Sequence, residues 1–355
     1  MTKTSFERLS LPRRRVLQGF ASGLAVTVLG MPRISRAAGS ITVSNWGGDW
    51  NDRTVKFVEK PLLEDKGFTV VRDIGMETER KAKLIAEKRI RRSSIDVIHL
   101  NSSDAFEMRR QDAVATLDAS KIPNLRDVVA GLNSDYFVPW LYSGVVIIYN
   151  KDKVKEPPKS YAELWDRKWA GRVGLTNQLY FNYMMMAGLV KTGKMTEVEA
   201  GQAMLATLSE TVQPKIYATH QQMAAGLTNG EVDIVINYKA RGLQWAASGL
   251  PLAIQYPTEG AIGIVFGACM AQFSTNPQGA YTYLNEMLDP SAMAGLAEAS
   301  FYAPANAKAS LSDTLRKTVD FSDSERASMH FPDYGYVADN TSQWLEWWNK
   351  NVARG

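Results

Sequence analysis

The sequence predicts an α/β protein of two lobes, each with mainly parallel strands flanked by helices. Three observations carry this. The chain has 355 residues, 45% apolar and 22% charged, which is enough for two cores of ordinary size. Short β-rich runs alternate with longer segments of helical spacing, the pattern left by strands joined through crossover helices. The apolar run Val145–Tyr149 shows no alternation, as expected of a strand covered on both faces.

In order, Ile41–Ser44 reads as a first strand, Trp46-Gly47-Gly48 as a turn, and Val55, Phe57 and Val58 as one side of a helix. Thr69–Val71 is a second strand, and Ala82, Leu84 and Ile85 mark a helix over Lys81–Lys88. Asp96–Leu100 is a buried third strand, followed by capping residues Asn101-Ser102-Ser103-Asp104. His99 inside it reads as an interior histidine, and Cys269 as a small hydrophobe. After Asn150 the polar, proline-stiffened stretch through Glu156-Pro157-Pro158 suggests a lobe boundary. Next come helix Tyr161–Trp165, strand Arg172–Leu175, a helix start at Thr176-Asn177-Gln178, and an apolar helix containing Met184–Met186. Helices Glu197–Ser209 and His220–Leu227 precede the turn Asn229-Gly230 and strand Val232–Ile236. Gly263–Met270 is a strand long enough to serve two sheets, and helices Ala280–Leu288 and Ala292–Ala299 follow it. Trp344, Trp347 and Trp348 share the face of a terminal helix at core spacing. The expected division is 38–148 with about 268–330 for lobe 1, 149–267 for lobe 2, and 331–355 for a helical segment packing on both.

The net positive charge belongs to the first 37 residues. They carry seven of the 41 Lys+Arg and one of the 37 Asp+Glu, so the remainder has 34 basic against 36 acidic groups. Nothing in that balance suggests nucleic-acid binding. A single Cys excludes a disulfide framework and a thiolate metal site, and three His argue against a zinc cluster; no cofactor or metal is expected. Residues 11–37 combine Arg13-Arg14-Arg15, the apolar stretch Phe20–Met31 and small residues up to Ala37. They read as a cleaved export signal of twin-arginine type, too short to span a bilayer, and point to a periplasmic monomer without stable membrane insertion.

Several short strings, in order, resemble one family. They are Asn45-Trp46-Gly47-Gly48, Val138-Pro139-Trp140, Tyr161-Ala-Glu-Leu-Trp165, Asn229-Gly230-Glu231-Val232-Asp233, Pro257-Thr258-Glu259-Gly260 and Tyr302-Ala303-Pro304-Ala305-Asn306. The chain resembles the periplasmic solute-binding proteins of bacterial ABC importers, in the polyamine, opine and phosphonate group. That resemblance implies a type II periplasmic binding-protein fold, each lobe a mixed, mainly parallel sheet flanked by helices with the ligand cleft between the lobes, capture of a small solute by hinge closure, and an inner-membrane ABC permease with its ATPase as partner. No enzymatic activity is implied, and the chain shows no cluster motif, nucleotide-binding glycine pattern or nucleophile elbow. Ferric-ion capture loses its support because Phe301 precedes Tyr302 where adjacent tyrosines would be expected.

Polyamine-binding relatives place acids after the strand ending at Leu175 and after Pro257-Thr-Glu-Gly; here these segments read Thr176-Asn177-Gln178 and Gly263-Ile264-Val265-Phe266. Arg241, just past a strand end, suits a carboxylate or phosphonate instead. The expected ligand is a small anion or zwitterion, amino-acid-like or aromatic; a polyamine is the alternative within the family and an exported enzyme the alternative outside it. The expected contacts are Trp46, Gly47, Asp49, Asn101, Ser102, Asn177, Tyr238, Arg241, Phe266 and Tyr302, with Asp49 or Asp104 to meet an ammonium.

Overall fold

The computed structural model describes residues 39–132 and 134–353. The export-signal reading of residues 11–37 lies outside them. Among the described residues no helix is long and apolar enough to cross a membrane.

Strand β1 (Ser40–Asn45) leads into helix α1 (Asp49–Thr54), which runs on through a wider π-helical turn (Val55–Glu59) to α2 (Lys60–Leu62). Then come β2 (Thr69–Ile74), α3 (Glu77–Glu87), β3 (Val97–Asn101), α4 (Ser102–Arg110) and the long β4 (Val138–Asn150). The second part of the chain holds β5 (Val173–Thr176), α5 (Tyr180–Thr192), α6 (Val198–Thr211), β6 (Lys215–Tyr217) and α7 (His220–Thr228). It continues through β7 (Ile234–Tyr238), α8 (Lys239–Ala247), β8 (Leu252–Gln255) and β9 (Ile262–Met270). The chain then forms α9 (Pro277–Glu286), α10 (Pro290–Ser300), β10 (Ala303–Pro304), α11 (Asp313–Val319), α12 (Asp323–Ala327) and α13 (Tyr334–Asn351).

One hydrogen-bonded sheet runs β2-β1-β3-β9-β4-β7-β5-β6, with β8 and β10 also pairing β4. The outer pairs β1–β2, β1–β3, β5–β6 and β5–β7 are parallel, whereas every ladder made by β4 and β9 is antiparallel. These two strands pass between two cores. Trp140–Tyr142 of β4 and Val265 and Ala268 of β9 belong to the first core, with β1, β3 and α9. Val145 and Ile147 of β4 and Ile262 of β9 belong to the second, with α5, α6 and Trp344 and Trp348 of α13. Val146 and Ile148 point the other way, into a smaller cluster with Met223, Leu227 and Val232. Alternate residues thus feed opposite faces, which is why Val145–Ile148 has no polar position.

The strands pass from one core to the other at Gly144 and Gly263, which face each other in register. A Cβ on Gly144 would lie 2.9 Å from that of Ala261, and one on Gly263 would lie 2.5 Å from the Phe331 ring. Phe331 belongs to a third crossing segment: His330 bridges Ile262, and Gly263 N donates to His330 O at 2.8 Å. Core membership therefore changes earlier on both strands than the 148/149 and 267/268 boundaries expected from the sequence. Tyr161–Trp165 forms a short 3-10 turn (Ala162–Trp165) rather than an α-helix.

Helix α13 belongs to both sides. Near its start Ser102 Oγ donates to Tyr334 Oη at 2.6 Å and Arg110 pairs with Asp339 at 2.5 Å. Towards its end Trp348 is fully buried and stacks on Tyr183 with centroids 5.6 Å apart. Replacing Trp348 with Ala removes that packing, and a loss of about 3–5 kcal/mol is expected in urea unfolding; a loss under about 1 kcal/mol would mean that α13 is held by its other contacts.

Candidate ligand cleft

Strand ends and helix starts converge where the two cores meet. Asn45, at the end of β1, accepts the Trp46 N–H on Oδ1 at 2.9 Å and reaches Thr54 of α1 through Nδ2 at 3.2 Å. Asn237 does the same in the second core: Oδ1 accepts the Tyr238 N–H at 2.8 Å while Nδ2 lies 2.9 Å from His220 Nδ1. Each asparagine fixes the aromatic residue that follows it. Asn101 ends β3 and caps α4, its Oδ1 accepting from Asp104 N at 3.0 Å. Gly48 has φ +61°, the left-handed region in which glycine turns the chain into α1 without strain.

Two cavities open against β9 and its neighbours. The one of about 430 Å³ is lined by Trp46, Gly47, Asp49, Arg241, Phe266 and Tyr302, six of the ten residues expected from the sequence. Trp50 completes an aromatic cluster there, with centroids 5.2 Å from Trp46, 5.2 Å from Phe266 and 5.9 Å from Tyr302. The other, of about 480 Å³, takes in Asn101, Ser102 and Tyr238, together with Tyr180 and Phe181 of α5 and the Tyr334 side of α13. Asn177 lines neither: its Oδ1 accepts the Trp348 indole N–H at 2.8 Å, so it anchors α13, and Gln178 reaches the cavity instead. Lys239 is also turned away, donating to the Asp320 carbonyl and lying 4.5 Å above the Phe321 ring.

The cavities differ in charge. In the aromatic one Asp49 pairs with Arg53 at 3.1 Å, while Arg241 donates from Nη1 to Gln244 Oε1 at 3.1 Å and keeps a buried Nε with no partner. Trp50 Nε1 is buried without a partner too. Both unmet groups are donors. Burial, and then the Arg241 charge, push His220 down to about 4, so its ring is neutral at pH 7.

In the larger cavity Asp104 and Glu107 both accept from Lys81 Nζ, the latter at 2.6 Å. Asn101 Nδ2 links Asp104 to Glu77 Oε1, the latter at 3.2 Å. Burial, and then the hydrogen bond and charge of Asp104, raise Glu77 to about 8. Asp104 moves the other way: burial would raise it, but the hydrogen bond from Glu77 and the Lys81 charge outweigh that. The two carboxyls thus titrate as a pair, with Glu77 raised and Asp104 lowered. Asn182, 2% exposed, lines this cavity and its Oδ1 has no partner.

Sequence reasoning missed Trp50, Arg53, Lys81, Glu107 and the α5 and α13 walls. Trp50, one helical turn after Trp46, offered a signal; the others depend on tertiary placement.

Two cores joined by crossing strands, with the cavities at the junction, make the two-lobed fold of periplasmic binding proteins. The same fold is seen in an ABC transporter substrate-binding protein from Bradyrhizobium japonicum USDA 110, with TM-score 0.76 and 20% identity over 87% of this chain and 99% of that one. It is seen too in MotA from Agrobacterium tumefaciens B6 in complex with glucopine, with TM-score 0.71 and 21% identity over 88% and 99% of the two chains. The chain belongs to the bacterial extracellular solute-binding protein family, whose model matches residues 59–322. It is 24% identical over 212 residues to the spermidine/putrescine-binding periplasmic protein of Escherichia coli K12, covering 56% of this chain. The match spans 60% of that relative's length.

The raised Glu77 has a consequence for stability. Folded Glu77 keeps its proton up to about pH 8, whereas an unfolded glutamate releases it near 4.5. Between these values the folded chain holds more protons, so stability falls as pH rises through the window and levels off above it. Glu77→Gln, which has no such proton to lose, is expected to flatten the fall between about pH 5.5 and about pH 8.5 when melting temperatures are compared. An unchanged slope would mean that Glu77 is already ionised in the folded protein.

Proposed function

We propose that this protein is the solute-binding component of a bacterial ABC importer, working in the periplasm and delivering its solute to an inner-membrane permease and its ATPase. The lobes are built round the two cores, and the hinge lies at Gly144, Gly263 and the third segment beside them. A solute that touches both lobes favours the closed form by its differential affinity, which lets the permease distinguish loaded from empty protein. Family membership and the fold support this reading, as do the ABC and periplasmic relatives.

The solute is a small organic anion or zwitterion, amino-acid-like or aromatic, anchored by Arg241. The carrying observation is the Arg241 guanidinium with its unpartnered Nε in a cavity walled by Trp46, Trp50, Phe266 and Tyr302. A guanidinium half withdrawn from water gains most from an anion that takes two of its parallel N–H groups, and aromatic walls favour a flat or alkyl body beside it. A second reading, a polyamine, is favoured by Asp104 and Glu107 beside Tyr180 and Tyr334 and by the polyamine named for the Escherichia coli relative.

Thermal-shift and calorimetric titration with amino acids, ω-amino acids, opines, aromatic acids and polyamines separates the two. Arg241→Ala is expected to weaken a carboxylate solute by about 100-fold or more, and Arg241→Lys to restore only part, since an ammonium cannot reproduce the two-pronged contact. Polyamine binding unaffected by Arg241→Ala would reject the anion reading in favour of the second.

A further inference from the structure

The two cavities carry complementary unmet groups, and this points to the shape of the solute. Against Arg241 the unsatisfied atoms are N–H donors, Arg241 Nε and Trp50 Nε1; in the neighbouring cavity the unsatisfied atom is an acceptor, Asn182 Oδ1. Asn182 is almost wholly withdrawn from water, so an unmet oxygen there is expensive unless a donor arrives with the ligand. The same cavity presents Asp104 and Glu107 from successive turns of α4, with Lys81 as their shared cation. Among the charged side chains that line this cavity, two carboxylates meet one ammonium, and the buried Arg80 guanidinium lies close enough to Asp104 to interact with it. In the other cavity Asp49 is matched by Arg53, which leaves Arg241 as an excess of one positive charge. Both cavities border β9, one at Gly263 and Ile264 and the other at Phe266, so a single extended molecule laid along that strand reaches both.

We propose that the solute is an extended zwitterion whose carboxylate lies against Arg241 and whose protonated amine lies among Asp104, Glu107 and Asn182, its chain running over Ile264 and Phe266. The inference rests on the Arg241 reading and adds the second end. It separates this cleft from one for compact α-amino acids, whose two charges are too close to occupy both cavities, and from one for diamines, whose second ammonium would meet Arg241. Tyr180, Tyr238 and Tyr334 beside the acids supply ring faces that attract an ammonium as well as apolar surface for the methylenes.

The test is calorimetric titration of the mature protein with 4-aminobutanoate, 5-aminopentanoate and 6-aminohexanoate, and with pentanoate, pentylamine and 1,5-diaminopentane as matched single-charge and like-charge probes. One member of the amino-acid series is expected to bind at least tenfold more tightly than pentanoate or pentylamine. Asp104→Asn and Glu107→Gln are each expected to weaken that zwitterion about tenfold, by removal of a charge-assisted contact, without weakening pentanoate. Glu107 is 42% exposed, so its variant keeps the test alive if Asp104→Asn disturbs the start of α4. Pentanoate binding as tightly as every amino acid, with both variants silent, would overturn the amine end while leaving the Arg241 anchor standing. Tight binding of 1,5-diaminopentane that survives Arg241→Ala would overturn the anchor and the zwitterion together.

Discussion

Everything in this molecule depends on the place where three chain segments cross between the two cores. Gly144 and Gly263 face each other there because neither position has room for a side chain: Ala261 and Met329 close on the first, Phe331 and Met329 on the second. Close packing at the two glycines brings the three segments together over a short stretch of each strand. The same glycines let β4 and β9 continue as one ladder, so the sheet is unbroken while its two ends pack into separate cores. Hydrogen bonding is shared across the junction, but apolar burial is divided.

That division places polar chain ends at the junction. Parallel strands deliver their carboxyl ends and the following helix starts to one edge of each core, and here the two edges face each other. The asparagines that end β1 and β3, and Asn237 near the end of β7, each bind a backbone N–H at or just past the strand end, so the residues after them are held before any ligand arrives. Preorganisation of this kind lowers the ordering cost of binding. Electrostatics then differ between the two cavities because α4 turns Asp104 and Glu107 towards the larger one while α8 brings Arg241 to the other.

Much of this was legible in the sequence. Strands such as Ile41–Ser44 and Asp96–Leu100 and the cap at Asn101 follow from local pattern, since each is fixed by residues close in sequence, whereas the six residues of the aromatic cavity were reached through strand ends together with the family resemblance. The first half of β4 was not read as strand because Pro139 interrupts its pattern and the ladder is irregular there. β6, β8 and β10 are two to four residues long, below the length at which periodicity speaks. The placement of Asn177 outside both cavities is not legible locally, because its partner, Trp348, is 171 residues away. The acids fared similarly: Glu77 and Glu107 look like solvated helix faces until α3 and α4 are packed side by side. Local chemistry names the strand ends, and only tertiary packing says which helix faces meet across the cleft.

The helix that walls the larger cavity also bears on the order in which the protein is assembled. Its ties to the rest are among the most distant in the chain, 232 residues from Ser102 to Tyr334 and 171 from Asn177 to Trp348. Contacts of such separation gain nothing until the surfaces they join exist, because closing so long a loop costs entropy that no local contact offsets. Both cores must therefore be in place before α13 can settle across them. On this argument α13 closes the wall of the larger cavity only once the surfaces it joins have formed.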